Sequence, residues 1–217
     1  MNGETILILA SGLWDNHRRL DRLVSRADYI IAANGGWAKA RQRGIHVDIV
    51  VGDLDSLTPE DRKTLLESPA TVHSYPHDKD WTDLELALDH ALSRLPSRIV
   101  IFGALGDRLD HTLANVFLLE KGCLAGVSVE LVSAHETAWL VNDVHEIPSV
   151  QLGDRVSLLA ITDRAEVKTS GLRYALNGEF LYRTSSHGIS NEVIALPVQI
   201  EVKHGALLVV HASTMVT

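Results

Sequence analysis

The chain has 217 residues, 46% of them hydrophobic, and a formal charge of −8. That length provides for one large domain or two small ones with a real core, and no run is apolar for the distance a bilayer span requires. The acidic balance excludes a broad nucleic-acid surface, which needs a basic stripe, yet it leaves room for a nucleotide whose phosphates are reconciled with acids by a divalent cation.

In chain order, apolar runs at Thr5–Ala10, Tyr29–Ala33, Val47–Val51, Ala70–Tyr75, Arg98–Phe102 and Val127–Val132 read as strands. The first of these opens the chain without a basic segment before it and reads as a strand, not as a secretory signal. Helical spacing lies between the runs. It is clearest over Thr82–Leu95, where Leu84, Ala87, Leu88, Ala91, Leu92 and Leu95 share one face. Thr82 with Glu85 three residues later forms a capping box, and Thr58-Pro59-Glu60-Asp61 announces another helix. Leu113, Val116 and Phe117 mark a third, which Gly122 is expected to stop. Such alternation implies a parallel sheet covered on both faces.

After about Ala134 no helical pattern remains. Short strands are expected at Ala138–Val141, Arg155–Ile161, Glu166–Lys168, Phe180–Arg183, Glu192–Lys203 and Ala206–Ala212. Turn residues separate them at Asn142-Asp143, Gly153-Asp154, Asn177-Gly178 and His204-Gly205, the last suiting a hairpin between the final two strands. The expectation is an α/β domain over residues 1–134 and an all-β sandwich over residues 135–217. The single cysteine, Cys123, excludes an internal disulfide and an all-cysteine metal site, which fits a reducing cytoplasm.

Three strand ends carry chemistry. The third ends in Gly52-Asp53-Leu54-Asp55, and residues two apart in extended chain point the same way. Ligands of open α/β sheets bind at such carboxyl ends. Two like charges facing one point repel unless a cation sits between them, and an all-oxygen ligand pair favours Mg²⁺. The fourth strand is followed by His77-Asp78-Lys79-Asp80-Trp81-Thr82-Asp83. Acids suit a helix N-terminus, which also accepts phosphate oxygens, and Lys79 adds a point charge. The fifth ends in Gly103-Ala104-Leu105-Gly106-Asp107-Arg108-Leu109-Asp110-His111, where a guanidinium fork suits phosphate. The second strand ends in Asn34-Gly35-Gly36-Trp37, whose glycines permit close approach of backbone to ligand. Neither GxGxxG nor GxxxxGK[ST] occurs. His73 and His77, four apart around Pro76, read as a surface pair in preference to a zinc site. Trp37, Trp81 and Trp139 read as ordinary core.

The stretches Ala33–Gly36, Gly52–Ser56, Asp78–Leu88, Gly103–Asn115 and, near the end, Ser186-His187-Gly188-Ile189-Ser190-Asn191-Glu192 resemble the thiamine pyrophosphokinase family across most of the chain. The resemblance implies an ATP-binding α/β domain, a C-terminal sandwich for thiamine binding and dimerisation, and a homodimer with thiamine between subunits. It implies transfer of an intact diphosphate from ATP to the thiamine hydroxyl, releasing AMP. Asp53, Asp55, Asp80 and Asp83 match the family's catalytic acids, and Asp53, Asp55 and Asp80 its metal ligands. Asn34, Gly35, Gly36, Lys79, Thr82, Arg108, Asp110 and His111 fall on the nucleotide side. Ser186, Gly188, Ser190 and Asn191 fall in the loop associated with thiamine. The chain departs from the family at Asn34, where aspartate is frequent, and at Asp107, where glycine is usual. The rivals are a diphosphokinase acting on another small alcohol such as a hydroxymethylpterin, a nucleotide-sugar glycosyltransferase, and a nucleotide-binding sensor without catalysis. Neither nucleic acid nor membrane is expected as a partner.

Overall fold

The computed structural model describes residues 3–15, 17–106 and 108–214, so Asp107 lies outside the described residues. The chain divides into two compact units, Met1–Ala134 and His135–Thr217.

The first unit is a parallel sheet with helices. Its strands are β1 (Thr5–Leu9), β2 (Tyr29–Ala33), β3 (Ile49–Gly52), β4 (Thr71–Ser74), β5 (Arg98–Phe102) and β6 (Ser128–Val132). Their spatial order is β6-β5-β1-β2-β3-β4, every pairing parallel. Chain order therefore reverses at β1, which has β2 on one side and β5 on the other, and the crevice beyond that pair is where such sheets bind ligands. Ile6, Ile8, Leu9, Ile31, Val50, Ile99 and Phe102 are wholly buried, as strands covered on both faces must be. Only β4 is largely exposed, consistent with its place at the edge.

The helices are α1 (His17–Val24), α2 (Gly36–Gln42), α3 (Pro59–Glu67), α4 (Asp83–Ser93) and α5 (Leu109–Ala125). Thr58 caps α3 by accepting from the Asp61 amide, and Thr82 caps α4 by accepting from the Glu85 amide. The Glu85 side chain does not reach back to complete a box; it pairs with Lys121 of α5 at 2.8 Å. Leu95 lies beyond α4 at φ +55° and is exposed, so it takes no part in the buried face. In α5 the buried face is Asn115, Leu119 and Gly122, while Leu113 and Phe117 face outward. Gly122 does not end that helix. Its missing side chain admits β6, since a Cβ there would meet Val129 Cγ2 at 2.2 Å. The helix stops at Gly126, which adopts the left-handed cap conformation.

The second unit holds two antiparallel sheets. One is ordered β12 (Asn191–Glu192), β9 (Arg155–Ala160), β14 (Leu207–Ala212), β7 (Glu136–Val141). The other is ordered β11 (Asn177–Tyr182), β10 (Arg164–Ser170), β13 (Gln199–His204), β8 (Val144–Glu146). Both contribute to one apolar core that includes Trp139, Val156, Val167, Leu181, Ile200 and Val209. Three sequence expectations change here. The run Glu192–Lys203 is two strands parted by a loop with a cis Leu196-Pro197 bond. Asn177-Gly178 belongs to β11, beside a bulge in its pairing with β10. His204-Gly205 is not a hairpin, because β13 and β14 lie in different sheets. It carries the chain between layers, and Gly205 at φ +82° packs where a Cβ would meet the Arg164 carbonyl oxygen at 2.3 Å.

Candidate active site

The acids after β3 and the segment after β4 meet at the end of the parallel sheet. Asp53 accepts from Asn34 Nδ2 at 2.8 Å through one oxygen and from Lys79 Nζ at 2.9 Å through the other. Lys79 also pairs with Asp83 at 3.0 Å. Asn34 Nδ2 lies 2.8 Å from Asp83 Oδ2 and 3.4 Å from Asp55 Oδ1. The Ser56 hydroxyl donates to Asn34 Oδ1 at 2.8 Å, which fixes the amide so that its NH₂ faces the carboxylates. Asn34 itself sits at φ +43°, a conformation that asparagine tolerates better than most residues.

Electrostatics keep this group charged. The Lys79 and Asp53 side chains are only 9% and 11% exposed. Burial disfavours the Asp53 carboxylate, but hydrogen bonds from Lys79 and the Asp55 backbone hold its carboxyl well below the usual carboxylate range. Burial likewise disfavours the Lys79 ammonium, and its bonds to Asp53 and Asp83 still raise it above the ordinary lysine value. An isolated carboxylate or ammonium would not stay ionised at such depth without a partner.

Beside this network lies a cavity of about 560 Å³. It is floored by the ends of β1, β2 and β5, through Ala10–Leu13, Ala33–Gly35 and Gly103–Gly106. Thr82 and Asp83 at the start of α4, and Arg108 and His111 at the start of α5, form its rim. Polar residues and helix starts thus surround the switch point of the sheet, an arrangement suited to a phosphorylated ligand. Arg108 forms a two-pronged pair with Asp110, at 2.6 and 3.2 Å, on the exposed rim. That guanidinium holds the Asp110 carboxyl below its usual range.

Sequence reasoning passed over several cavity residues. Lys39 of α2 lines the cavity with its ammonium 2.5 Å from the Gly12 carbonyl oxygen and 5.9 Å from the Trp14 ring. Ser11 and Ser56 also line it, and buried Asn115 shapes it by donating to the Ala104 carbonyl at 2.6 Å. Ser56 and Asn115 close two of the family-matching stretches, Gly52–Ser56 and Gly103–Asn115, with no role assigned to them there, and Ser11 and Lys39 stand in none. Asp80 is exposed and does not join the acid network. Trp81 is half exposed beside it, whereas Trp37 and Trp139 are buried.

Among the described residues, those able to hold a divalent cation are Asp53, Asp55 and His77, whose ligand atoms all lie within 4.8 Å of one another. Two carboxylates and one imidazole fit a hydrated six-coordinate ion, since each carboxylate oxygen keeps a lone pair beyond its present bond. His77 Nε2 is 3.1 Å from Asp55 Oδ2. His73, by contrast, packs edge-on against His90 at 5.1 Å, so the two histidines are not a pair.

In the second unit, the loop of Ser186, Gly188, Ser190 and Asn191 is tied to β9. Leu158 N donates to the Gly188 carbonyl at 2.9 Å, and Ser190 N donates to Ser157 Oγ at 3.0 Å. Asn191 is buried and its amide is engaged with the backbone of Tyr174 and Glu192, so it shapes the loop. Ser186 and Ser190 remain exposed.

Comparison with known proteins gives one consistent result. A family model described as the thiamin pyrophosphokinase catalytic domain matches residues 20–130, and one described as the thiamin pyrophosphokinase vitamin B1 binding domain matches residues 144–207. The chain is 32% identical over 166 residues to thiamine pyrophosphokinase of Bacillus subtilis (strain 168), covering 76% of this chain and 78% of that protein. A crystal structure of thiamine pyrophosphokinase from Bacillus subtilis matches with a TM-score of 0.88 at 28% identity, over 98% of this chain and all of that one. A thiamin pyrophosphokinase family protein from Enterococcus faecalis matches with a TM-score of 0.84 at 25% identity, over 98% of this chain and 100% of that one.

Proposed function

The chain belongs to the thiamin pyrophosphokinase family, and from that premise we infer that it is an enzyme transferring the diphosphate of ATP to the hydroxyl of thiamine, giving thiamine diphosphate and AMP. The observation that carries this reading is the joining of Asn34, Asp53, Lys79 and Asp83 into one charged network beside a cavity at the switch point.

The reaction forms a bond from the thiamine hydroxyl oxygen to the β-phosphorus and breaks the bond from that phosphorus to the oxygen bridging to the α-phosphate. AMP leaves with that oxygen, and the hydroxyl proton passes to a carboxylate. Such transfers depend on positioning and charge neutralisation, with no covalent intermediate on the protein. Asp83 lines the cavity and exposed Asp80 does not, which favours Asp83 as the proton acceptor. Arg108 and Lys39, both lining the cavity, offer cationic donors to phosphate oxygens. Asp53 and Asp55 would hold Mg²⁺, which when bound supplies neutralisation of phosphate charge. Lys79 acts at this site as the buried counter-charge that keeps Asp53 and Asp83 close together.

The α/β unit is assigned to ATP and the β unit to thiamine, with Ser186 and Ser190 as exposed hydroxyl groups of its loop. The match of residues 144–207 to a vitamin B1 binding model supports this assignment. A homodimer in the cytoplasm completes the reading; no helix among the described residues is long and apolar enough to cross a membrane. A competition assay tests the acceptor. With ATP and Mg²⁺ present, thiamine should be consumed and an equimolar hydroxymethylpterin left unchanged. Preferential diphosphorylation of the pterin would replace thiamine with another alcohol while keeping the ATP half.

A further inference from the structure

We propose that His77 is a third, nitrogen ligand of the divalent cation held by Asp53 and Asp55, and that it tilts the site toward Mn²⁺ over Mg²⁺. The proposal rests on the reading of those two aspartates as the cation site.

The placement of His77 is enforced from both sides. Two residues before it, Tyr75 N donates to the Gly52 carbonyl at 3.0 Å, tying the segment to the end of β3. Two residues after it, Lys79 is bound to Asp53 at 2.9 Å and Asp83 at 3.0 Å. A turn closes between them, with Lys79 N donating to the His77 carbonyl at 3.0 Å. The imidazole is thereby held over Asp55, with Nε2 3.1 Å from Oδ2. It approaches from the solvent side, being 75% exposed, while the inner sides of the acids are taken by Asn34 and Lys79. The open side is the one from which a hydrated ion enters.

The other ring nitrogen supports the same role. Nδ1 lies 3.4 Å from Asp78 Oδ1. Histidine ligands characteristically donate one N–H to a carboxylate or carbonyl while the second nitrogen meets the metal. Mg²⁺ prefers oxygen ligands throughout and dehydrates reluctantly, whereas Mn²⁺, the most oxygen-loving of the first-row divalent ions, still accepts an imidazole nitrogen beside carboxylates. An Asp-Asp-His set therefore gains more for Mn²⁺ than for Mg²⁺.

The test uses the full chain freed of metal with chelator, together with His77→Ala and Asp53→Asn, all checked for folding by thermal melts. Free Mn²⁺ is followed by its EPR signal during titration, and Mg²⁺ is measured by competition. His77→Ala should weaken Mn²⁺ by about 10-fold or more, and Mg²⁺ by less than about threefold. Pulsed EPR should show ¹⁴N coupling to bound Mn²⁺ in the unaltered protein and none in His77→Ala. An unchanged Mn²⁺-to-Mg²⁺ preference overturns the proposal, as does bound Mn²⁺ without nitrogen coupling, the result expected if the imidazole only pairs with Asp55. Asp53→Asn separates the two levels of the reading. If it binds Mn²⁺ as the unaltered protein does, the carboxylate site itself is wrong; if it loses Mn²⁺ while His77→Ala does not, only the role of His77 is.

Discussion

Asn34 donates to Asp83 at 2.8 Å and so ties the end of β2 to the start of α4. The same amide nitrogen reaches Asp53 at 2.8 Å, so a neutral donor stands among carboxylates at a position where the family often has another acid. Asn34→Asp would exchange those donated bonds for repulsion. In chelator the variant should melt lower by about 1–3 kcal/mol, and added Mg²⁺ should restore more of the loss than it adds to the unaltered protein. Equal melting of the two proteins in chelator would show that the amide has no such role.

The Lys79–Asp53 pair gives a stability prediction with a defined pH window. The Asp53 carboxyl is depressed in the folded state, so its contribution is present above the unfolded value near 3.8 and is lost as pH falls through the folded value. Lys79 is raised, so its contribution is present below 10.5 and is lost as pH rises through its folded value. Lys79→Met takes the cationic partner from Asp53 and Asp83, leaving them the neutral Asn34 amide, and should cost about 3 kcal/mol between those limits, measured by urea melts at neutral pH. The deficit should shrink in strong acid as the acids protonate. A deficit that does not change with pH would locate the effect in lost packing instead.

Lys39 has a more local consequence. Its ammonium lines the cavity from α2, within reach of a phosphate. Lys39→Met should lower kcat/KM for ATP by about 10-fold or more, the loss of one charge-assisted hydrogen bond, with little change in the KM for thiamine. An effect confined to thiamine would place the nucleotide elsewhere.

What could be read in advance follows from where the physics is local. The buried strands β1, β2, β3, β5 and β6 stand out because both faces are covered, which leaves uninterrupted apolar runs. Thr58 and Thr82 mark helix starts because capping is a matter of three residues. Asp53 and Asp55 are legible as acids at a strand end, and Asp83 as an acid at a helix start. Their convergence on Asn34 is not, since no spacing encodes that contact. Gly36 reads as a turn but opens α2, because its lack of a side chain lets it press on the Leu9 carbonyl, where a Cβ would stand at 2.1 Å. Gly122 and His204-Gly205 misled for the same reason: their neighbours come from elsewhere in the sequence. His77 was set beside His73 by spacing and is set beside Asp55 by the fold.

The most direct measurement is the identity of the nucleotide product. Protein incubated with ATP, Mg²⁺ and thiamine, followed by ³¹P NMR, should accumulate AMP and thiamine diphosphate in equal amounts, with no ADP. ADP formed together with thiamine monophosphate would mean that attack falls on the γ-phosphorus, and the account of diphosphate transfer would be contradicted.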